Sequence, residues 1–255
     1  MKILITGGNG YIAKSLANKL DNTTSITRKD FNLTDRESTN NWFDGKHFDV
    51  VIHTAVVGGS RLKKDNGDTF YQNIQMFYNL LNNKHHFNKL IHFGSGAELN
   101  MPTDPYGLSK NVISKIIDSE PNFYNIRIFG VFDENELDTR FIKNSIKLYI
   151  NKQPIEIHQN KLMDFFYMED LVELVKHYIY KNNLPKNIDC TYGIDACYLL
   201  DIANIINNLS DYKVKIKTGK GKERKYVGDW NPLNIEWIGL EQGIKKTYKK
   251  ILSEN

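Results

Sequence analysis

Apolar residues gather in short unbroken runs, and the stretches between those runs carry apolar positions at helical spacing. Ile3, Leu4 and Ile5, between Lys2 and Thr6, predict a buried strand, followed by a turn and a helix through Leu16, Ala17 and Leu20. A second short strand includes Ser25, Ile26 and Thr27 and ends at Arg28-Lys29. Asn32-Leu33-Thr34-Asp35 leads into another helix, with Asp35 as its N-cap. Phe48 to Ala55 predicts a buried strand, Phe70 to Leu81 a helix, and Lys89 to Phe93 a strand running into Gly94-Ser95-Gly96. A helix from Tyr106 to about Ile117 and a strand from Asn125 to Phe129 complete the alternation. Strands alternating with helices imply an α/β protein with a doubly wound parallel sheet. In such sheets ligands sit beyond the carboxyl ends of the strands. The turn after the first strand, Thr54-Ala55, Ser95 and Phe129-Gly130 all fall at such ends.

The pattern loosens after about residue 133. Phe141 to Ile150, Leu171 to Tyr180 and Leu199 to Leu209 predict helices, and Val214 to Lys217 a short strand. The expected division is a first domain over 1–132, with segments returning near 155–180, and a smaller C-terminal lobe made mainly of 133–255.

Composition narrows the class without deciding it. With 255 residues, 40% apolar and 25% charged, the chain is long enough to bury a sizeable core. It contains no run of ~18 apolar residues, so no spanning helix is expected, and its N-terminus is too quickly interrupted for a signal peptide. Cys190 and Cys197 lie seven apart with no nearby His or second Cys pair, so neither a zinc site nor a disulfide framework is expected. Reduced thiols fit a cytoplasmic location. A net charge of +4, with no nucleic-acid-binding motif and no aromatic-basic interleaving at module spacing, gives no reason to expect nucleic acid as a partner. The basic segment from Lys213 to Lys225 reads either as a solvated face or as a site for a polyphosphate ligand.

Two motifs carry chemistry. Thr6-Gly7-Gly8-Asn9-Gly10-Tyr11-Ile12-Ala13 directly follows the first strand; Gly7 and Gly10 allow a tight turn and close approach to a pyrophosphate, and Ala13 is small enough for close helix packing. An acidic residue ending the second strand would hold the ribose diol of NAD. Here that stretch is Thr27-Arg28-Lys29, and a guanidinium suits a 2′-phosphate, so NADP(H) is preferred, with Asp30 keeping NAD(H) open. In Tyr106-Gly107-Leu108-Ser109-Lys110, the Tyr and Lys four apart share a helix face. The ammonium favours phenolate, which makes the Tyr a proton donor or acceptor near neutral pH. A bound dinucleotide beside such a pair implies hydride transfer at a carbon bearing oxygen.

These residues resemble the extended short-chain dehydrogenase/reductase family, whose members act on nucleotide-linked sugars, and within it the GDP-L-fucose synthase branch. The likeness includes the glycine motif, Ser95, Tyr106 with Lys110, Met163 to Asp170, and Gly239 to Tyr248. Thr27 to Asp35, Val57-Gly58-Gly59 and Phe70 to Asn73 add to it. The resemblance implies a Rossmann-like fold with a small C-terminal substrate-binding lobe. It also implies a catalytic set in which Ser95 hydrogen-bonds the sugar carbonyl, Tyr106 passes it a proton and Lys110 holds the nicotinamide ribose. Cofactor contacts are expected at Gly7, Gly10, Tyr11, Ile12, Arg28, Asn32, Leu33, Thr54, Ala55 and Lys110. Substrate contacts are expected at Ser95, Tyr106 and the basic pair Arg224-Lys225, which matches a pair on the substrate diphosphate. Asn73 is expected to support the site, and a homodimer and a role in nucleotide-sugar biosynthesis for surface glycans are expected by resemblance. Asp164, Phe165 and Asp170 read as bracing residues, and His53, His92 and His158 as packed or exposed.

The departures narrow the reaction. Sugar 4,6-dehydratases of the family place Asp and Glu directly after the catalytic hydroxyl residue, where this chain has Gly96 and Ala97. Members that epimerise C3 and C5 use a Cys two residues after that hydroxyl and a later His, where this chain has Ala97 and Thr139-Arg140-Phe141. Gly130 and Met163 replace an Asn and an Arg that usually help bind the sugar nucleotide. Hydride transfer to a ketone remains, so the expected activity is reduction of a nucleotide-linked 4-keto-6-deoxy sugar. A 4-epimerase with tightly bound NAD and a non-catalytic NADP-binding regulator are the alternatives.

Overall fold

A computed structural model describes residues 1–60, 63–193, 196–219, 225–230 and 233–254. It divides into two compact units, Met1–Ile128 with Leu174–Ile188, and Phe129–Glu173 with Asp189–Asn255.

The first unit holds β1 (Ile3–Thr6), α1 (Tyr11–Ala17), β2 (Thr23–Ile26), α2 (Arg36–Phe43), β3 (Phe48–His53), α3 (Gly67–Asn82), β4 (Phe87–Ser95), α4 (Ala97–Asn100), α5 (Pro105–Ser119) and β5 (Phe123–Ile128). The remaining elements are β6 (Val131–Phe132), α6 (Phe141–Ile150), β7 (Ile155–Ile157), β8 (Leu162–Met163), β9 (Phe166–Tyr167), α7 (Met168–Tyr180), β10 (Asn187–Asp189), β11 (Cys197–Tyr198), α8 (Leu199–Asn207), β12 (Ile216–Thr218), β13 (Lys225–Tyr226) and α9 (Leu240–Ser253).

Among the described residues, one six-stranded sheet runs β10-β5-β4-β3-β1-β2, and its pairings from β2 through β5 are parallel. Register aligns Thr6 with His53 and His53 with His92, so these strands reach the same level. β4 runs on to Ser95, which pairs with Ile128. The strands read as continuous apolar runs because helices cover them. One core cluster joins Leu4, Val51 and Leu90 from the sheet to Phe77 and Leu80 of α3 and Ile113 and Ile117 of α5. Trp42 stacks on Phe31 and Phe48 at 4.8 and 5.8 Å between ring centroids.

Caps set the helix starts. The Asp35 carboxylate accepts from Ser38 N at 2.6 Å, as the sequence predicts. α3 starts at Gly67, ahead of Phe70, because Asn66 and Thr69 form a reciprocal capping box. Asp104 accepts from Tyr106 N at 3.1 Å with Pro105 in the first turn, which fixes where α5 begins.

The residues that rejoin the first unit are Leu174–Ile188, where the sequence pattern placed them near 155–180. Their attachment is specific: the Lys89 ammonium donates to the carbonyls of Tyr178, Ile179 and Lys181 at 2.7, 3.1 and 2.7 Å, closing the end of α7. Tyr178 also meets Tyr124 edge-on at 5.3 Å.

The second unit has its own core, in which Ile142, Ile146 and Tyr149 of α6 meet Ile155, Ile157, Ile202, Ile206 and Ile244. Its small sheets are β11-β8-β13, β12-β7 and β6-β9. The strand expected over 214–217 appears as Ile216–Thr218, paired with Ile155–Ile157.

Candidate active site

The turn after β1 is built on backbone contact. Gly7 has φ +72°, and a Cβ there would lie 2.7 Å from Ala55 Cα, so only glycine lets this turn approach the end of β3 so closely. Gly10 N donates to Gly7 O at 2.8 Å, and Gly8 N donates to Ile26 O at 2.8 Å. No side chain caps the start of α1. A cleft of about 310 Å³ opens beside the turn, lined by Gly7, Gly10, Arg28, Asn32, Leu33, Thr54 and Ala55 together with Thr6, Asn9, Thr27, Phe31, Val56 and Met76. Tyr11 and Ile12 are half-buried in the first turn of α1 and do not line it. A larger, open hollow of about 420 Å³ among Arg36, Asn40, Asn82 and His86 shares no residue with this cleft.

Asp30 is turned into its own loop. Its carboxylate accepts from Thr27 N at 2.7 Å and from Thr27 Oγ1 at 3.0 Å, and those bonds lower its pKa. The acid that would favour a ribose diol is thus engaged by Thr27, whereas Arg28 lines the cleft.

The second part of the site joins β4 to α5. Ser95 ends β4, and its Oγ accepts from Ala97 N at 3.2 Å. Tyr106 and Lys110, one turn apart on α5, put the ammonium 5.9 Å from the centroid of the phenol ring. Lys110 is buried, and its Nζ donates to Phe93 O at 2.6 Å and lies 3.4 Å from His92 Nε2. The residue holding Lys110 is therefore two positions before Ser95 on the same strand. Burial pushes the Lys110 ammonium down to about 8, against the upward pull of Glu98. Burial first, then the Lys110 charge, drives His53 down to about 3, and the same causes with His53 added take His92 well below its ordinary value.

Two features support Tyr106, and the first of them was not readable in the sequence. Gly59 has φ +71°, and a Cβ there would lie 2.7 Å from Tyr106 Cζ, so this backbone packs on the ring face. Asp65 secures it, accepting from Gly59 N at 3.2 and 3.1 Å. Asn73, expected to support the site, is buried and spans two segments. Its Oδ1 accepts from Val57 N at 2.8 Å, and its Nδ2 donates to Val57 O at 2.9 Å and to Ser109 Oγ at 3.1 Å. Ser109 Oγ in turn donates to Tyr106 O at 2.7 Å.

Glu98, the first carboxylate after Ser95, is 1% exposed and faces the sheet. Asn125 Nδ2 donates to its Oε1 at 3.1 Å, and Arg127 Nε lies 3.5 Å away.

Residues expected to matter in the second unit are distributed differently. Arg224 lies outside the described residues, and Lys225 is exposed on β13 opposite Leu162. Asp164 accepts from Gly228 N at 2.8 Å, with burial raising its pKa. Asp170 accepts from Ile238 N, Gly239 N and the Tyr192 hydroxyl, so both acids tie down backbone within this unit. Gly130 abuts Asp164 O and the Phe165 ring, at 3.0 and 2.9 Å from a built Cβ, which leaves no room for an asparagine. His158 is exposed and His53 and His92 are buried, as packed or exposed side chains. No helix among the described residues is long and apolar enough to cross a membrane.

Known proteins resemble this chain over most of its length. A profile of the NAD dependent epimerase/dehydratase family matches residues 3–190. Protein CapI of Staphylococcus aureus is 25% identical, over 72% of this chain and 71% of that protein. The fold is shared with MlghC, a GDP-mannoheptose C4 reductase from Campylobacter jejuni with NADP bound, at 17% identity, TM-score 0.75, and 98% coverage of both chains. It is also shared with a UDP-glucuronic acid 4-epimerase from Bacillus cereus in complex with UDP-glucuronic acid and NAD, at 18% identity, TM-score 0.75, and 100% coverage of both.

Proposed function

The chain belongs to the NAD dependent epimerase/dehydratase family, and on that premise we propose that it is an NADP-dependent reductase of a nucleotide-linked 4-keto-6-deoxy sugar. One observation carries the choice of reaction. Gly96 and Ala97 follow Ser95 without a proton-carrying group, and Glu98 is bound by Asn125 and Arg127 on the sheet side. Removal of water or of a ring proton needs a base at the sugar, and these positions supply none. Reduction needs only one proton, which Tyr106 would give.

Gly7 and Gly10 line the cleft without side chains at the start of α1, which supports a dinucleotide there. Bound there, the nicotinamide would supply the hydride. Ser95 Oγ donates to the ketone oxygen and polarises it. Tyr106 delivers its phenolic proton to that oxygen as negative charge develops, and the Lys110 ammonium beside the ring stabilises the phenolate left behind. Arg28 on the cleft wall and the engagement of Asp30 with Thr27 support NADP over NAD. Substrate contact at Arg224 and Lys225, a homodimer and a cytoplasmic location belong to the same proposal.

The test is NADPH absorbance with GDP-, dTDP-, UDP- and CDP-linked 4-ketosugars. Stoichiometric oxidation with one of them, abolished in Tyr106→Phe while cofactor binding persists, is the expected result. Interconversion of 4-hydroxy sugars with no net NADPH use, by protein that retains NAD through purification, would make it a 4-epimerase. Cofactor binding without either activity would leave a regulatory protein.

A further inference from the structure

His92 occupies a costly position. It lies in the middle of β4, is 1% exposed, and its neighbours include Phe77 of α3 at 5.6 Å, edge to face, and His53 of β3 at 5.2 Å between centroids. Its Nδ1 is buried with no hydrogen-bond partner among the described residues. An apolar side chain there would avoid that cost. The imidazole does one thing an apolar residue cannot, which is to face Lys110 Nζ with Nε2 at 3.4 Å. For Nε2 to accept from an ammonium, the ring proton must sit on Nδ1, the nitrogen that is left without a partner.

The surroundings hold both imidazoles in place. Thr6 Oγ1 pairs with His53 Nδ1 at 2.8 Å, which ties the second imidazole to β1. The charged or titratable groups facing Lys110 are His92 from β4, His53 from β3, Glu98 from α4 and Tyr106 from α5 itself. A protonated His92 would repel the ammonium; a neutral one attracts it. The ammonium has three protons. Phe93 O and His92 Nε2, from consecutive residues of one strand, take two of them.

We propose that His92 is a positioning residue, whose Nε2 accepts from the Lys110 ammonium and, with the Phe93 carbonyl, fixes where that charge stands relative to Tyr106. The proposal rests on the reductase reading for its consequence in turnover, but not for its physical test. The variants are His92→Leu, which removes the acceptor, and His92→Gln, whose amide oxygen restores one. His92→Phe, with a ring of similar size, takes the place of His92→Leu should the latter fail to fold. Protein labelled with 13C at lysine Cε is titrated by NMR without cofactor or sugar, with Lys110→Arg assigning the signal.

Loss of a hydrogen bond to a charged group disfavours the charged form, so the Lys110 midpoint should fall by about one unit, a tenfold change, in His92→Leu and hold in His92→Gln. The pH dependence of NADPH binding, read by fluorescence, should move the same way. An unchanged midpoint in His92→Leu overturns the proposal, as does a Gln variant displaced as far as the Leu variant, since packing alone would then explain both. Failure of every sugar to turn over would sink the reductase reading and leave this titration standing.

Discussion

The backbone of Gly59 lies against the face of the Tyr106 ring, with no space for a methyl group between them. Alanine at this position meets two obstacles, a φ of +71° and a phenol at 2.7 Å. Gly59→Ala should cost about 1–2 kcal/mol for the left-handed backbone and displace the ring proposed to give the proton. A shift of that kind lowers turnover by about 10–100-fold. Stopped-flow NADPH oxidation, beside a denaturant curve, separates the two effects.

Asn73 joins the loop at Val57 to α5 at Ser109 through one buried amide. Asn73→Ala leaves Val57 N and O without that partner and should destabilise the protein by about 2–4 kcal/mol. Urea midpoints measure the loss. A change below about 0.5 kcal/mol, the range of inert surface substitutions, would mean that the loop finds other partners.

On the proposed preference for NADP, Arg28 would distinguish the two nicotinamide cofactors only through the 2′-phosphate. Arg28→Ser should weaken NADPH binding by about 10–100-fold, the worth of hydrogen bonds to a charged group, and leave NADH binding nearly as it was. Isothermal titration with both cofactors reads this directly. Equal losses for both would remove Arg28 from the 2′-phosphate.

Lys110 makes stability depend on alkaline pH. Its folded value of about 8 lies below the ordinary 10.5, so below pH 8 the fold bears the whole cost of a buried charge. Between pH 8 and 10.5 the unfolded chain binds the extra proton, and stability contributed at this site rises with pH before levelling above 10.5. Lys110→Met lacks the dependence. The stability of the wild type relative to Lys110→Met should climb by up to about 3 kcal/mol across that window, followed by urea denaturation at intervals of pH.

Most of the sheet was legible because its strands are unbroken apolar runs. β1 is Ile3–Thr6, inside the predicted 2–6. Ends were less so: β4 starts at Phe87 instead of Lys89 because Phe87 pairs with Phe48, and β5 starts at Phe123 instead of Asn125 because Phe123 and Tyr124 are buried. The pairs β6 and β9 and the two-residue strands β8, β11 and β13 were missed, being too short to show a period. Tyr106 and Lys110 could be paired from helix spacing alone. The contact of Lys110 with His92 could not, since it depends on register between strands and on a side chain turning inward past its own helix. Likewise nothing near Gly59 in sequence points to a tyrosine forty-seven positions later, and only the left-handed φ of the observed turn explains the residue.

The parallel sheet is not finished where its last long strand ends. β5 carries the apolar residues Phe123, Tyr124 and Ile126, and its outer flank is taken by β10, with Asn125 N donating to Lys186 O at 2.8 Å and Ser114 Oγ to Asn187 Oδ1 at 2.8 Å. A nascent chain that has emerged only as far as Ile128 therefore presents an open strand edge, the kind that other polypeptides extend. Some sixty further residues must leave the ribosome before that edge is sealed. Fragments cut after β5 would be expected to precipitate, and circular permutants that keep Leu174–Ile188 continuous with the N-terminal block would be expected to escape it.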